Sequence, residues 1–101
     1  MIYYQINIRV KKDISNQWLE WMKKTHIPEV LDTGYFISYK ISKVIKPVSE
    51  EDIVEFSIVY KCDLFERYLD YSVKAAPDLQ KKHTEMFNGK VTAYRKVMEA
   101  V

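Results

Sequence analysis

His26 and Glu29, three residues apart, have the chemistry of an acid–base site. His26 titrates near neutral pH and shares a predicted helix face with Leu19 and Met22, just before Pro28. It could therefore act as a general acid or base, with Glu29 orienting its ring. The alternative, which the sequence favours, is a packed histidine that hydrogen-bonds a carbonyl freed by the proline. Spacing identifies no second titratable partner, so no catalytic residue beyond His26 can be named.

A second group of side chains could bind a ligand without reacting with it. Arg95 shares its alternation with Val91, Ala93 and Val97, so it could point into the apolar layer and bind a carboxylate of a ligand or of a neighbouring side chain. The alternative is an edge-strand arginine that extends into water, and the sequence favours it. The tyrosines that could line a pocket for an aromatic or oxygenated ligand are Tyr4, Tyr39, Tyr60 and Tyr68. Ordinary packing explains these tyrosines equally well.

The composition excludes several classes of partner and site. Among 101 residues, 16 Lys and Arg stand against 14 Asp and Glu, a net charge of +2 that is too low for nucleic acid or an anionic membrane. The two glycines, Gly34 and Gly89, leave no phosphate-binding loop. The single cysteine, Cys62, allows neither an intrachain disulfide nor a zinc site of several thiolates. We expect no metal, no cofactor, no membrane segment and a cytoplasmic location.

Alternating apolar residues predict the strands that would carry these side chains. The predicted strands are residues 2–10, 35–45, 54–60 and 90–101, the middle two forming a hairpin across the polar connection 46–52. RNA-binding domains with this order of elements carry aromatic residues on the outward face of the third strand. Here that face has Glu55, Ser57 and Val59, which argues against RNA binding.

Helical spacing predicts two amphipathic helices between the strands. Ser15 should cap the first, which should kink or stop near His26 because of Pro28 and continue only as a short turn through Val30 and Leu31. Trp18 and Trp21 should anchor it to the sheet. Asp63 and Glu66 resemble a capping box at the start of the second helix, which Pro77 should interrupt before it resumes from Leu79 to Phe87. His83 lies on this last stretch and is predicted to be structural.

The element order β-α-β-β-α-β predicts an α+β, ferredoxin-like sandwich over residues 1–101 as a single domain. It would have a four-stranded antiparallel sheet with two helices on one face. The opposite face is mixed in character, with residues such as Tyr3, Asn7, Val59 and Tyr94. We expect this face either to be solvated or to meet a second sheet in a homodimer.

Two segments resemble a known bacterial family. WLEWMKKTHIPEVLDTGYF, residues 18–36, and the ending MFNGKVTAYRKVMEAV are similar to a family classed as domain of unknown function 4286, whose relatives are dimeric α/β-barrel proteins. The resemblance covers nearly the whole chain and implies this fold and a homodimer, but no reaction. The wider superfamily includes cofactor-free monooxygenases, small-molecule isomerases and haem-degrading enzymes.

A further segment, VYKCDLFERYLDYSVKAAP, resembles the corresponding part of the haem-degrading members. Where those proteins place an Asn, a Trp and an axial His, this sequence offers Asn7, Tyr68 and Pro77. Since no imidazole stands where the iron would be held, the sequence argues against haem degradation.

Two hypotheses about function follow, and they leave open whether the protein is an enzyme. The first is a homodimeric protein that binds a small organic molecule between helices and sheet, with cofactor-free isomerase or monooxygenase chemistry as an extension. Its candidate ligand-binding residues are His26, Glu29, Tyr39, Tyr60, Tyr68 and Arg95. The second is a non-catalytic dimerisation or protein-interaction module, in which these residues are structural.

Overall fold

Residues 1–101, all described by the computed structural model, form four strands with a helical layer on one face. The elements are β1 (Ile2–Lys11), α1 (Ser15–Trp21), α2 (Ile27–Asp32), β2 (Ser38–Lys43), β3 (Ile53–Cys62), α3 (Phe65–Lys74), α4 (Ala76–Phe87) and β4 (Val91–Glu99). A 3₁₀ turn, Lys12–Ile14, precedes α1, and a π-helical turn, Met22–His26, joins α1 to α2. The predicted ferredoxin-like order is confirmed.

The sheet is antiparallel throughout, with the strand order β2-β3-β1-β4. Its register places Ile6 opposite Ile58 on one side and Arg95 on the other. Every second residue of β1, and of β3 from Phe56 onward, is buried, because a strand turns successive side chains to opposite faces and only one face meets the helices. Arg95 therefore lies on the helical side of the sheet, at the edge strand β4.

The core lies between this inner face and the helices. It contains 18 buried apolar residues, among which Trp18 is fully buried and stacks on Phe56 of β3 with ring centroids 5.0 Å apart. Trp18 thus anchors α1 to the sheet, as predicted. Trp21 instead packs on α4, with its ring centroid 5.3 Å from that of Phe87.

The helix through Pro28 differs from the sequence prediction. Regular α-helical bonding does end before His26, but α2 continues to Asp32, so the prediction of only a short turn through Val30 and Leu31 is wrong. In the π turn the N–H of Ile27 donates to the carbonyl of Met22, five residues earlier. Pro28 follows at the point where the bonding pattern changes, so its missing N–H costs the helix little.

Both predicted helix caps are absent. The Ser15 hydroxyl donates to the Lys12 carbonyl at 2.9 Å instead of capping α1, because the 3₁₀ turn has already started the helical path. α3 begins at Phe65 without a side-chain cap, and Asp63 pairs with Arg67 at 3.5 Å. The interruption of the second helix is confirmed, since the break falls at Ala75.

Strand β2 is shorter than the predicted 35–45. Tyr35 and Phe36 turn towards the helices, where the Phe36 ring packs against Tyr71 of α3 at 4.8 Å between centroids. The chain therefore joins the sheet only from Ser38. No helix in the fold combines the length and the apolar character needed to cross a membrane.

Candidate functional site

A cavity lies between the sheet and the helical layer, beside β4. The cavity is small, with an enclosed volume of about 30 Å³, and it is partly open to solvent. The mouth lies along β4, since Ala93 and Arg95 are the exposed residues of its lining. The polar side chains that line it are Tyr4, His26, Tyr60, Tyr71, Gln80, His83 and Arg95. The remaining walls are apolar, and among them are Ile6, Met22, Val30 and Ile58.

Three of the six ligand-binding candidates line this cavity: His26, Tyr60 and Arg95. The other three lie outside its lining. Glu29 forms an ion pair with Lys82 at 3.0 Å. Tyr39 is 41% exposed on the edge strand β2, opposite Tyr60. Tyr68 packs behind Tyr4, with ring centroids 5.0 Å apart.

The π turn positions His26. In an α-helix, residues five apart point about 140° away from each other, because each residue advances by roughly 100°. Bonding between residues five apart brings such side chains onto the same face. The Trp21 ring accordingly stacks on the His26 ring, with centroids 5.4 Å apart and planes inclined by 30°. The sequence indicated that Pro28 would disturb the helix, but not that the disturbance would pack His26 against this indole.

Burial keeps the imidazole of His26 neutral. Desolvation, aided by the nearby His83, lowers the pKa of His26 to about 4, against a weaker opposing effect of Glu29. At pH 7 the neutral ring can therefore accept a proton only as a weak base, and it holds no imidazolium proton to give. This narrows the role expected from the sequence, in which His26 could act as either acid or base.

His83 lines the cavity opposite His26, with ring centroids 5.8 Å apart, although the sequence assigned it no role. The indole N–H of Trp18 donates to Nε2 of His83 at 2.9 Å. Because a tryptophan can only donate, this bond holds His83 as the neutral tautomer protonated on Nδ1. Burial also lowers the pKa of His83, and the charge of Arg95 lowers it further. One signal was available, since His83 is four residues from both Leu79 and Phe87, which are buried.

The tyrosines of the cavity remain protonated and can donate hydrogen bonds. Burial raises the pKa of Tyr4, Tyr60 and Tyr71 above the usual value, although the charge of Arg95 partly opposes the rise for Tyr4 and Tyr71. The hydroxyl of Tyr60 is fully buried and has no hydrogen-bond partner. Such a group costs free energy in the folded protein.

Arg95 gives the cavity a positive charge. It takes part in none of the seven salt bridges of the protein, and no Asp or Glu lines the cavity. Its guanidinium is nevertheless close enough to lower the pKa of His26, His83 and Tyr4. The two imidazoles are the only lining groups of metal-ligating type, and nowhere in the chain do three such side chains come together.

Comparison with known proteins identifies a family and a fold. Residues 1–101 match the family described as "Domain of unknown function (DUF4286)". Among curated proteins, none matches this sequence.

Three solved structures show the same fold at low sequence identity. HapK from Hahella chejuensis has a TM-score of 0.73 at 10% identity, covering 100% of this chain and 93% of that chain. SnoaB from Streptomyces nogalater, described as a cofactor-independent oxygenase, has a TM-score of 0.65 at 11% identity, covering 98% and 92%. A dimeric ferredoxin-like protein from an uncultured marine organism has a TM-score of 0.61 at 9% identity, covering 99% and 95%. At such identities the likeness concerns the fold alone.

Proposed function

We propose that this chain, which belongs to the DUF4286 family, is a homodimeric small-molecule-binding protein of the dimeric α/β-barrel type. Its binding site is the cavity between the sheet and the helical layer. The observation that carries this proposal is the lining of the cavity, which brings the polar side chains of His26, His83 and Arg95 together against apolar walls. An apolar cleft with a few convergent polar groups is the usual form of a small-molecule site.

The size of the cavity constrains how a ligand binds. The enclosed part has the space of one or two water molecules, so only one end of a ligand fits there. The rest of the ligand lies in the open mouth beside Ala93 and Arg95.

The reaction proposed for this site is a cofactor-free proton transfer. His26 is the proton acceptor in this proposal because it is neutral and lines the cavity. Proton transfer of this kind suits an isomerase, and it is the first step by which a substrate could be activated without a cofactor. The similar fold of SnoaB, a cofactor-independent oxygenase, supports this extension by analogy.

The homodimer of this proposal forms through the outer face of the sheet. Tyr3 and Met98 lie opposite each other on that face, and Tyr94 nearby is 64% exposed. Gln5 and Glu55 both hydrogen-bond to Asn7, at 2.7 and 3.2 Å. A face with paired polar groups and exposed aromatic area suits contact with a second sheet.

The free, buried Cys62 is consistent with the proposed cytoplasmic location.

A non-catalytic dimerisation or protein-interaction module is the second candidate function. The small enclosed volume of the cavity, about 30 Å³, favours it. In that case the outer face of the sheet is the functional surface, and the cavity holds only water.

Native mass spectrometry of the purified protein tests the first proposal against the second. We expect a dimer, about twice 12.1 kDa, that carries extra non-covalent mass. Ala93→Phe, which fills the mouth of the cavity, should abolish that mass. Thr84→Phe, an exposed position outside the lining on α4, should retain it. A bare dimer for the unmodified protein supports the interaction module, and a monomer contradicts the homodimer in both proposals.

A further inference from the structure

The electrostatic character of the cavity indicates which ligands it would take. Its lining contains one permanent positive charge, Arg95, and no carboxylate. The carboxylate that raises the pKa of His26 belongs to Glu29, which is already paired with Lys82 at 3.0 Å. A cationic ligand would therefore meet an unpaired guanidinium and no counter-charge, whereas an anion would give Arg95 the partner that it lacks.

The neutral polar groups of the lining also favour an anionic ligand. The Trp18 indole occupies Nε2 of His83, so the remaining nitrogen, Nδ1, carries the proton and is a donor. The hydroxyl of Tyr4, which burial keeps protonated, also belongs to the lining and can donate near Arg95. A lining that combines a guanidinium with N–H and O–H donors suits an acceptor-only group such as a carboxylate.

We propose that the ligand of this cavity is a small organic acid that binds with its carboxylate at Arg95 and its apolar body against the wall of the cavity. This inference rests on the proposed function, that the cavity binds a small molecule. Arg95 lies at the exposed mouth, so the carboxylate remains near water, where its desolvation is least costly. The apolar body lies inward, against aliphatic residues such as Ile6 and Ile58.

The test compares two probes of nearly the same shape, benzoate and benzamide, which differ in charge. Each is titrated at pH 7 into ¹⁵N-labelled full-length protein, and amide shifts of residues at the cavity are followed by NMR. We expect both probes to shift those resonances, with benzoate binding about tenfold more tightly, as for a hydrogen bond to a charged group near water. The preference should weaken as the salt concentration rises, because Arg95 is exposed.

Two charge-matched variants show whether Arg95 is responsible. Arg95→Gln should bind benzoate and benzamide equally. Lys81→Gln removes one positive charge from an exposed position of α4, where it pairs with Glu85, and should retain the full preference.

The outcomes separate the two proposals. Equal or tighter binding of benzamide to the unmodified protein overturns the ligand class and leaves small-molecule binding standing. A preference for benzoate that survives Arg95→Gln overturns the role of the guanidinium. If neither probe shifts residues at the cavity, both this inference and the proposed function are wrong.

Discussion

Replacing Tyr60 with phenylalanine should stabilise the unliganded protein. The side chain is 2% exposed and packs against Tyr4 and Phe36, with ring centroids 6.1 and 5.2 Å away. Phenylalanine keeps this packing and removes only the hydroxyl, which is buried without a partner. An unsatisfied buried polar group costs roughly 1–3 kcal/mol, so we expect Tyr60→Phe to raise the free energy of unfolding by about 1 kcal/mol. For a chain of this length that corresponds to roughly 4–8 °C in melting temperature.

Urea denaturation of the ligand-free protein, carried out at one fixed protein concentration, measures this effect. Tyr4→Phe is the matched control, because Tyr4 is 3% exposed in the same core but its hydroxyl is not a buried group without a partner. We expect that variant to gain no stability, because no unsatisfied buried group is removed. A destabilisation of 1 kcal/mol or more by Tyr60→Phe would refute the reasoning, since it would mean that the hydroxyl already has a partner without any ligand.

Three further predictions concern the residues that hold the cavity in place. The free energy of unfolding should fall by up to about 3 kcal/mol as the pH drops from 6.5 to 4, because His26 binds a proton more readily in the unfolded chain than in the folded protein. Urea denaturation at a series of pH values measures this, and His26→Asn should make the free energy of unfolding depend less on pH in that range. An unchanged pH dependence would contradict the assignment to His26. Trp18→Phe should cost roughly 2–4 kcal/mol through lost packing and the lost bond to His83, and should make the ¹⁵N shifts of that imidazole move towards a mixture of tautomers. An unchanged tautomer would show that Trp18 does not control it. Gly34→Ala should lower the free energy of unfolding, measured by calorimetry, by about 1 kcal/mol, because φ is +81° there although a Cβ would meet no neighbour. Gly34→Asn should lower it less, because asparagine tolerates a positive φ better than alanine does. Equal losses would point to a cause other than the backbone.

The sequence was sufficient for the sheet because alternation carries direct information about burial. Ile6, Ile8 and Val10 alternate with polar residues, and each is buried on the inner face as the pattern predicts. The same alternation placed Arg95 on the helical side of β4, and the side chain is exposed there, in agreement with the favoured prediction of an edge-strand arginine that extends into water. The face of the sheet that each side chain occupies follows from this two-residue period, and no tertiary contact is needed to derive it.

The candidate site was less accessible to sequence reasoning because it depends on contacts between distant elements. His83 receives its hydrogen bond from Trp18, 65 residues earlier, and no local pattern encodes that distance. The expectation for Pro28 was wrong because a rule for α-helices was applied to a segment that changes its hydrogen-bond pattern one turn earlier. Ser15 failed as a cap for a similar reason, since the 3₁₀ turn before it had already taken up the chain path.

The π turn makes the length of the chain between Trp21 and His26 a determinant of the cavity. Deleting a single residue from the π turn before His26 would let the segment relax into an α-helix, in which the imidazole would follow Trp21 at four residues and stay on the same face. An insertion there would instead rotate everything after it by about 100° relative to α1, and the imidazole would then leave the indole and the cavity, although no residue of the lining had been substituted. The connection 44–52 between β2 and β3 imposes no comparable constraint, because it lies outside the helical layer and most of it is exposed. Tolerance to insertions in this protein is therefore expected to differ sharply between these two segments of similar polarity.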